Sequence, residues 1–133
     1  MSAVVADTHA VLWMLLDSPR LSVRARSALQ DAVQSGSSIY MASISLVEII
    51  YLVDKNRLPI NALQKLQAAL SDPAFGLEVI PLDRDIAEAV AQIPLTMVPD
   101  MPDRIIAATA LFLKLPLVTR DHKIQAAEIQ TIW

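Results

Sequence analysis

Four short segments of this 133-residue chain each set a carboxylate just past an apolar, strand-like run, or in the first turn of the helix that follows one. Asp7 ends the run Val4-Val5-Ala6. Glu48 follows Ile39-Tyr40-Met41-Ala42 by way of Ser43-Ile44-Ser45. Asp103 lies in Pro99-Asp100-Met101-Pro102-Asp103, which opens a strongly apolar stretch, and Asp121 closes Leu117-Val118-Thr119-Arg120. In an α/β sheet the carboxyl ends of the strands and the starts of the following helices gather at one edge. Acids from distant parts of the chain can therefore meet in one pocket. Carboxylates crowded in this way repel and resist ionisation unless a hard divalent cation neutralises them. The chemistry implied is that of a metal-dependent enzyme.

The elements that must carry these acids alternate between strand and helix. Ala3–Ala6 reads as a buried strand and Thr8–Leu16 as the helix after it, with Pro19 closing the turn. Ser22–Ser35 is a helix with Ser22 as N-cap and Gly36 as its stop. Its apolar face is Val23, Ala25, Ala28, Leu29, Ala32 and Val33, while Arg24, Arg26, Gln30 and Asp31 face water. Ser38–Ala42 is the second strand, Ser45–Lys55 and Asn61–Leu70 are helices, and Asp72-Pro73 breaks the latter. Leu77–Ile80 is a strand and Asp83–Gln92 a helix capped by Asp83. Three prolines hold Pro94–Pro102 extended ahead of the helix Asp103–Leu113. Leu115–Thr119 and Ile129–Trp133 are the last strands. Strands separated by helices imply a three-layer α/β/α sandwich with a mostly parallel central sheet, as one domain over residues 1–133.

Composition limits the classes of function. The apolar fraction is 54%, unchanged when the two Tyr are exchanged for the two Gly in the count, against ~45–50% in typical globular chains. The excess points to apolar surface hidden by a partner, or to a dense core that absorbs it. Zero cysteines exclude disulfides and thiolate metal sites. The apolar run Ala10–Leu16 is far shorter than the ~18 residues of a membrane span, and no Lys or Arg precedes it as in a secretory signal. The expectation is a cytoplasmic protein with no membrane partner. A net charge of −3 argues against nucleic acid only until bound cations are counted, since each restores two positive charges locally.

Each acid also has a structural reading. Ser45-Leu46-Val47-Glu48 matches the S-x-x-E capping box, in which the Glu reaches back to the cap amide. Asp100 can cap a helix whose first turn contains Asp103. Asp121 can cap a short last helix running to Ala127. Asp7 is the hardest to explain in this way, because it ends an apolar strand where an unpaired carboxylate is costly; a Thr8 cap or a water is the alternative to a site. The conjunction favours a site: capping does not require an acid at each of four junctions. His9 and His122 flank two of the acids but lack HExxH-type spacing, and an oxygen-rich site favours Mg2+ or Mn2+; both histidines are expected to be peripheral. The hydroxyls of Ser43, Ser45 and Thr119 lie near the proposed pocket, with orientation of metal-bound water as their expected role. Arg104, Arg120 and Lys123 surround the acids and are candidates to hold phosphates, or equally to be solvated surface charges or partners of neighbouring acids.

These residues resemble the PIN-domain nucleases, and within them the VapC-like toxins of bacterial type II toxin–antitoxin pairs. Ala6-Asp7-Thr8-His9-Ala10-Val11-Leu12-Trp13 looks like the family's opening strand and first acid, and Ser43-Ile44-Ser45-Leu46-Val47-Glu48-Ile49 like its second-acid segment. Pro102-Asp103-Arg104-Ile105-Ile106-Ala107-Ala108-Thr109-Ala110 is the most specific match. Leu117-Val118-Thr119-Arg120-Asp121 supplies a fourth acid, and Thr131-Ile132-Trp133 fits the family's close. Two departures concern the subfamily: no His precedes Asp100, and Asn56 stands where a Gly is frequent.

The resemblance implies a ribonuclease whose metal-site acids are Asp7, Glu48, Asp103 and Asp121, with Asp100 as an additional acid and Thr119 as a hydroxyl beside the fourth. It implies Mg2+ or Mn2+ as cofactor, an RNA substrate and a cognate antitoxin. One or two cations would activate a water and stabilise the leaving oxygen. The apolar excess adds a homodimer, with Val47, Ile50, Tyr51, Leu63, Leu66 and Leu70 as interface candidates. Two other classes compete. A non-catalytic interaction module of the same fold would not need all four acids. An Asp7-based phosphotransfer domain would want a second acid where His9 stands, and a Lys at the end of a late strand.

Overall fold

A computed structural model describes residues 2–125 and 127–133. The strands are β1 (Val4–Ala6), β2 (Ile39–Ala42), β3 (Leu77–Ile80), β4 (Leu117–Val118) and β5 (Thr131–Ile132), and the sheet order is β3-β2-β1-β4-β5. Every pairing is parallel. The chain therefore builds outward from β1 to β3, then crosses back to lay β4 and β5 on the other side of β1. The gap beyond β1 and β4 is the point where strand order reverses, and open α/β sheets place ligands there.

Side chains of β1 point alternately to the two faces of the sheet and so feed two cores. Val4 and Ala6 join Ile39, Met41 and Val118 beneath α1 (Thr8–Leu15), α2 (Val23–Gln34) and α4 (Ile60–Ser71). Val5 joins Ala42 and Leu117 beneath α5 (Arg84–Ala89) and α6 (Met101–Leu113). The result is the expected three-layer sandwich, with α3 (Ser43–Asp54) contributing Ile49 to the first core and Ile44 to the rim of the second. In α6, Ala107, Ala108 and Ala110 are fully buried, which lets its backbone come close to β1 and β2.

Local signals account for most element ends. The Ser22 hydroxyl accepts the Ala25 N–H at 3.0 Å and starts α2; Gly36, with φ of 77°, follows its close. Asp83 Oδ1 accepts the Ile86 N–H at 3.0 Å and starts α5. Several expectations need correction. The helix carrying Glu48 begins at Ser43 rather than Ser45, so Ser45 lies inside it and caps nothing; Ala42 holds the cap position without a side-chain bond. Pro94–Pro102 is not extended throughout, because Pro94 O accepts N–H bonds from Met97 and Val98 and turns the loop. Pro102 is already in the first turn of α6, where its missing N–H costs nothing. Val23, placed on the apolar face of its helix, is 86% exposed. Leu66 is fully buried and Leu63 and Leu70 pack against the first core, so only Val47, Ile50 and Tyr51 of the proposed interface set stay exposed, beside Ile60. The last helix, α7 (His122–Gln125), is shorter than expected, and Ala126 lies outside the described residues. Among the described residues no helix is long and apolar enough to cross a membrane.

Candidate active site

Asp7 follows β1 directly and caps α1. Its Oδ1 accepts the Ala10 N–H at 2.8 Å, and its Oδ2 accepts the Thr119 hydroxyl at 2.5 Å. Burial pushes the Asp7 carboxyl above the ordinary carboxylate range. The bonds from Thr119 and Ala10 and the nearby His9 pull the other way, while Asp121 adds to the rise. The Thr119 hydroxyl also accepts the Asp121 N–H at 3.0 Å. One buried hydroxyl thus joins the first and fourth junctions across the β1–β4 crevice.

Glu48 stands one and a half turns into α3, at the end of β2. The Thr8 hydroxyl pairs with Glu48 Oε1 at 2.6 Å and with the Ser45 hydroxyl at 2.9 Å. Having one proton, Thr8 donates to the carboxylate and accepts from Ser45. The Glu48 side chain is therefore turned to α1 rather than back to its own helix start, and the capping-box reading fails. Burial raises its pKa, the Thr8 bond lowers it, and the charges of Asp100 and Asp7 raise it further.

Asp103 lies in the first turn of α6, which Asp100 caps by accepting the Asp103 N–H at Oδ1, 3.2 Å away. Its pKa is raised to about 7, by burial first, then by the charges of Asp100 and Asp121 and a shared hydrogen bond with Asp121. Asp121 Oδ1 accepts the Lys123 N–H at 2.9 Å and so turns the chain into α7. The five acids are linked through their charges: Asp121 acts on Asp7, Asp7 and Asp100 on Glu48, and Asp100, Asp121 and Glu48 on Asp103. In the side-chain positions seen, no three His, Asp or Glu residues among those described are grouped closely enough to grip an ion. The donor set is nonetheless all oxygen, which suits Mg2+ or Mn2+ bound partly through water. The apolar cavity of about 400 Å3 between Met14, Leu29 and Phe75 includes none of these acids.

The sequence profile of the PIN domain matches residues 4–129. The chain belongs to the PIN-domain family. A curated relative, Ribonuclease VapC22 of Mycobacterium tuberculosis (strain ATCC 25618 / H37Rv), is 28% identical over 128 residues, covering 95% of this chain and 92% of that one. Among solved structures, VapBC2 from Rickettsia felis, bound to a DNA fragment from its promoter, superposes with a TM-score of 0.73 at 18% identity, over 97% of this chain and 96% of its own. A toxin–antitoxin complex from Klebsiella pneumoniae gives 0.67 at 23% identity, over 98% and 96%.

The other candidates of this PIN domain are placed unequally. Arg104 leaves the acids: its guanidinium donates to the carbonyls of Ile93 (2.8 Å) and Val90 (3.0 Å) and ties α6 to the end of the preceding helix. Arg120 and Lys123 are exposed beside Asp121. Ser43 accepts the Leu82 N–H at 3.1 Å and serves the loop after β3. Thr119 holds the Asp7 carboxylate and Ser45 braces the Thr8 hydroxyl, and neither is the role expected of it. Thr8, considered as a cap for Asp7, holds the Glu48 carboxylate instead. His9 and His122 are exposed.

Proposed function

We propose that this PIN domain is a metal-dependent endoribonuclease and the toxin of a toxin–antitoxin pair. The observation that carries the reading is the gathering of Asp7, Glu48, Asp103 and Asp121 at one sheet edge, with three of their carboxyls pushed up by burial and by one another. Retaining such groups at a cost to folding makes sense if a cation neutralises them in use. Asp7 and Asp103 would hold Mg2+ or Mn2+ most directly; Glu48 and Asp121 would complete the site, with Asp100 at its margin. Once bound, the ion supplies an activated water and offsets the charge developing on the scissile phosphate. The protein's own part is positional. Thr119 and the Ala10 amide fix both oxygens of Asp7, and Thr8, braced by Ser45, fixes Glu48. Lys123, on the rim, would take a flanking phosphate.

The relative named as a ribonuclease supports the activity, and the toxin–antitoxin complexes among similar folds support an antitoxin partner. The exposed face of Val47, Ile50 and Tyr51 on α3 is where a homodimer or an antitoxin segment would bury apolar area. The test is cleavage of a structured RNA pool by the purified chain in Mn2+ and in chelator. Cleavage should require the ion and should fall at least about a hundredfold in Asp7→Asn, the scale of losing one metal contact or its support. Undiminished cleavage in chelator would overturn the metal reading. Antitoxin-free expression that leaves growth unchanged would overturn the toxin assignment.

A further inference from the structure

Beside the acids lies a cluster that the hydrolytic chemistry does not use. Trp13, one turn past His9 on α1, is only 8% exposed. The His9 ring stands 5.3 Å from it, centroid to centroid, and Trp133 meets it edge-on at 5.7 Å. The Arg120 guanidinium carbon lies 4.9 Å from the Trp13 ring centre. His9 and Arg120 are exposed and Trp133 is half-buried, so the cluster has a buried indole inside and an imidazole and a guanidinium outside. Its members come from the same junctions as the acids. His9 is two residues past Asp7 and near enough to act on both Asp7 and Glu48. Arg120 sits between Thr119 and Asp121. Trp133 follows Ile132, whose carbonyl accepts the Thr119 N–H at 3.1 Å.

The bland account is that Trp13 is core and the others shield it. That account does not explain why Arg120, next in sequence to Asp121, lies over an indole and makes no ion pair among the described residues. A site rimmed by acids on a chain of net charge −3 gains little from phosphate contacts alone. Affinity for a polyanion must then come in part from its bases. A base inside a duplex has both faces covered, whereas an unpaired one can stack on an aromatic ring or a guanidinium plane.

We propose that His9 and Arg120, backed by Trp13 and Trp133, form a stacking platform for one unpaired nucleobase beside the scissile phosphate. This rests on the ribonuclease reading and adds to it how the strand is held. His9 and Arg120 are positioning residues, and purines should bind better than pyrimidines because they offer more stacking area.

The chain has two tryptophans, both in the cluster, so intrinsic tryptophan fluorescence reports on this place alone. The test uses Asp103→Asn protein with Mn2+, to hold RNA uncleaved, and short oligoribonucleotides in which one abasic nucleotide is moved along the strand. Intact strands should quench the fluorescence, and one abasic position should weaken binding by roughly 5- to 150-fold, the range for a single base–aromatic stack. His9→Ala should cost the intact strand a comparable factor and the abasic strand almost nothing, while His9→Phe restores binding. Arg120→Lys, which keeps charge and loses the flat surface, should behave like His9→Ala. Equal binding of intact and abasic strands at every position, or equal losses for both in His9→Ala, overturns the platform. Cleavage of the same strands by the unsubstituted chain then leaves the ribonuclease reading standing; RNA neither bound nor cleaved overturns both.

Discussion

Removing one charge from the site should stabilise the metal-free protein, and Asp103→Asn is the cleanest case. The Asp103 pKa rises from 3.8 to about 7 on folding. A carboxyl of this kind binds its proton more tightly in the folded chain. Its favourable contribution is therefore complete below about pH 4 and is lost as pH rises to about 7, beyond which the folded state carries an unwanted charge. At ~1.4 kcal/mol per tenfold, the full rise corresponds to at most about 4 kcal/mol. The side chain is partly open to water, so screening reduces this to roughly 1–2 kcal/mol. Its place in the first turn of α6 returns ~0.3–1 kcal/mol to the charged form through the helix dipole. The net gain for Asp103→Asn at pH 8 is then about 1 kcal/mol, or ~3–5 °C in melting temperature for a chain of this size. Urea unfolding followed by circular dichroism in chelator, from pH 4 to pH 8, measures both the gain and the slope. The substitution should flatten the decline between pH 4 and pH 7, and saturating Mn2+ should reverse the ranking by stabilising the unsubstituted protein more than the variant. Equal stability at pH 8 together with an unchanged slope would refute the reasoning.

Thr119→Val keeps the shape of a fully buried residue and removes the hydroxyl that serves both Asp7 and Asp121. Calorimetry should show Mn2+ affinity about tenfold weaker or worse, with the acid limb of the pH–rate profile moved to higher pH, and Thr119→Ser should restore both. Arg104→Ala strips the donors from two backbone carbonyls. It should lower stability by about 2–3 kcal/mol without altering the salt dependence of RNA binding, whereas Lys123→Ala should lower that salt slope with stability unchanged.

The fold was readable because its signals are local. Strands buried on both faces appear as unbroken apolar runs, and helices such as α2 carry a serine cap at one end and a glycine just past the other. The parallel order then brings the junctions to one edge. The errors arose where a pattern has two physical solutions. Ser45-Leu46-Val47-Glu48 satisfies the capping box, but α3 starts two residues earlier from Ala42, whose side chain gives no sign of it. The Glu48 carboxylate instead answers a hydroxyl 40 residues away, which no local window can contain. Arg104 follows an acid of the set and reads as a phosphate ligand, yet its length carries it to the carbonyls of another helix. Leu66 and Val23 show the same limit: helical periodicity says which residues share a stripe, not which neighbouring element will cover it.

The bond from Thr119 to Asp7 spans 112 residues, and β1 pairs with β4 over a comparable distance. Contacts of such high sequence separation form late in folding, because the loop entropy must be met before the pairing rewards it. On the ribosome, where chains emerge at ~5–20 residues per second, Asp7 waits for nearly all of this domain to be synthesised before its partner exists. A nascent or prematurely ended chain thus carries the first two acids but has no crevice to put them in. The first two acids of this design meet the fourth only once residues 117–121 have joined the sheet.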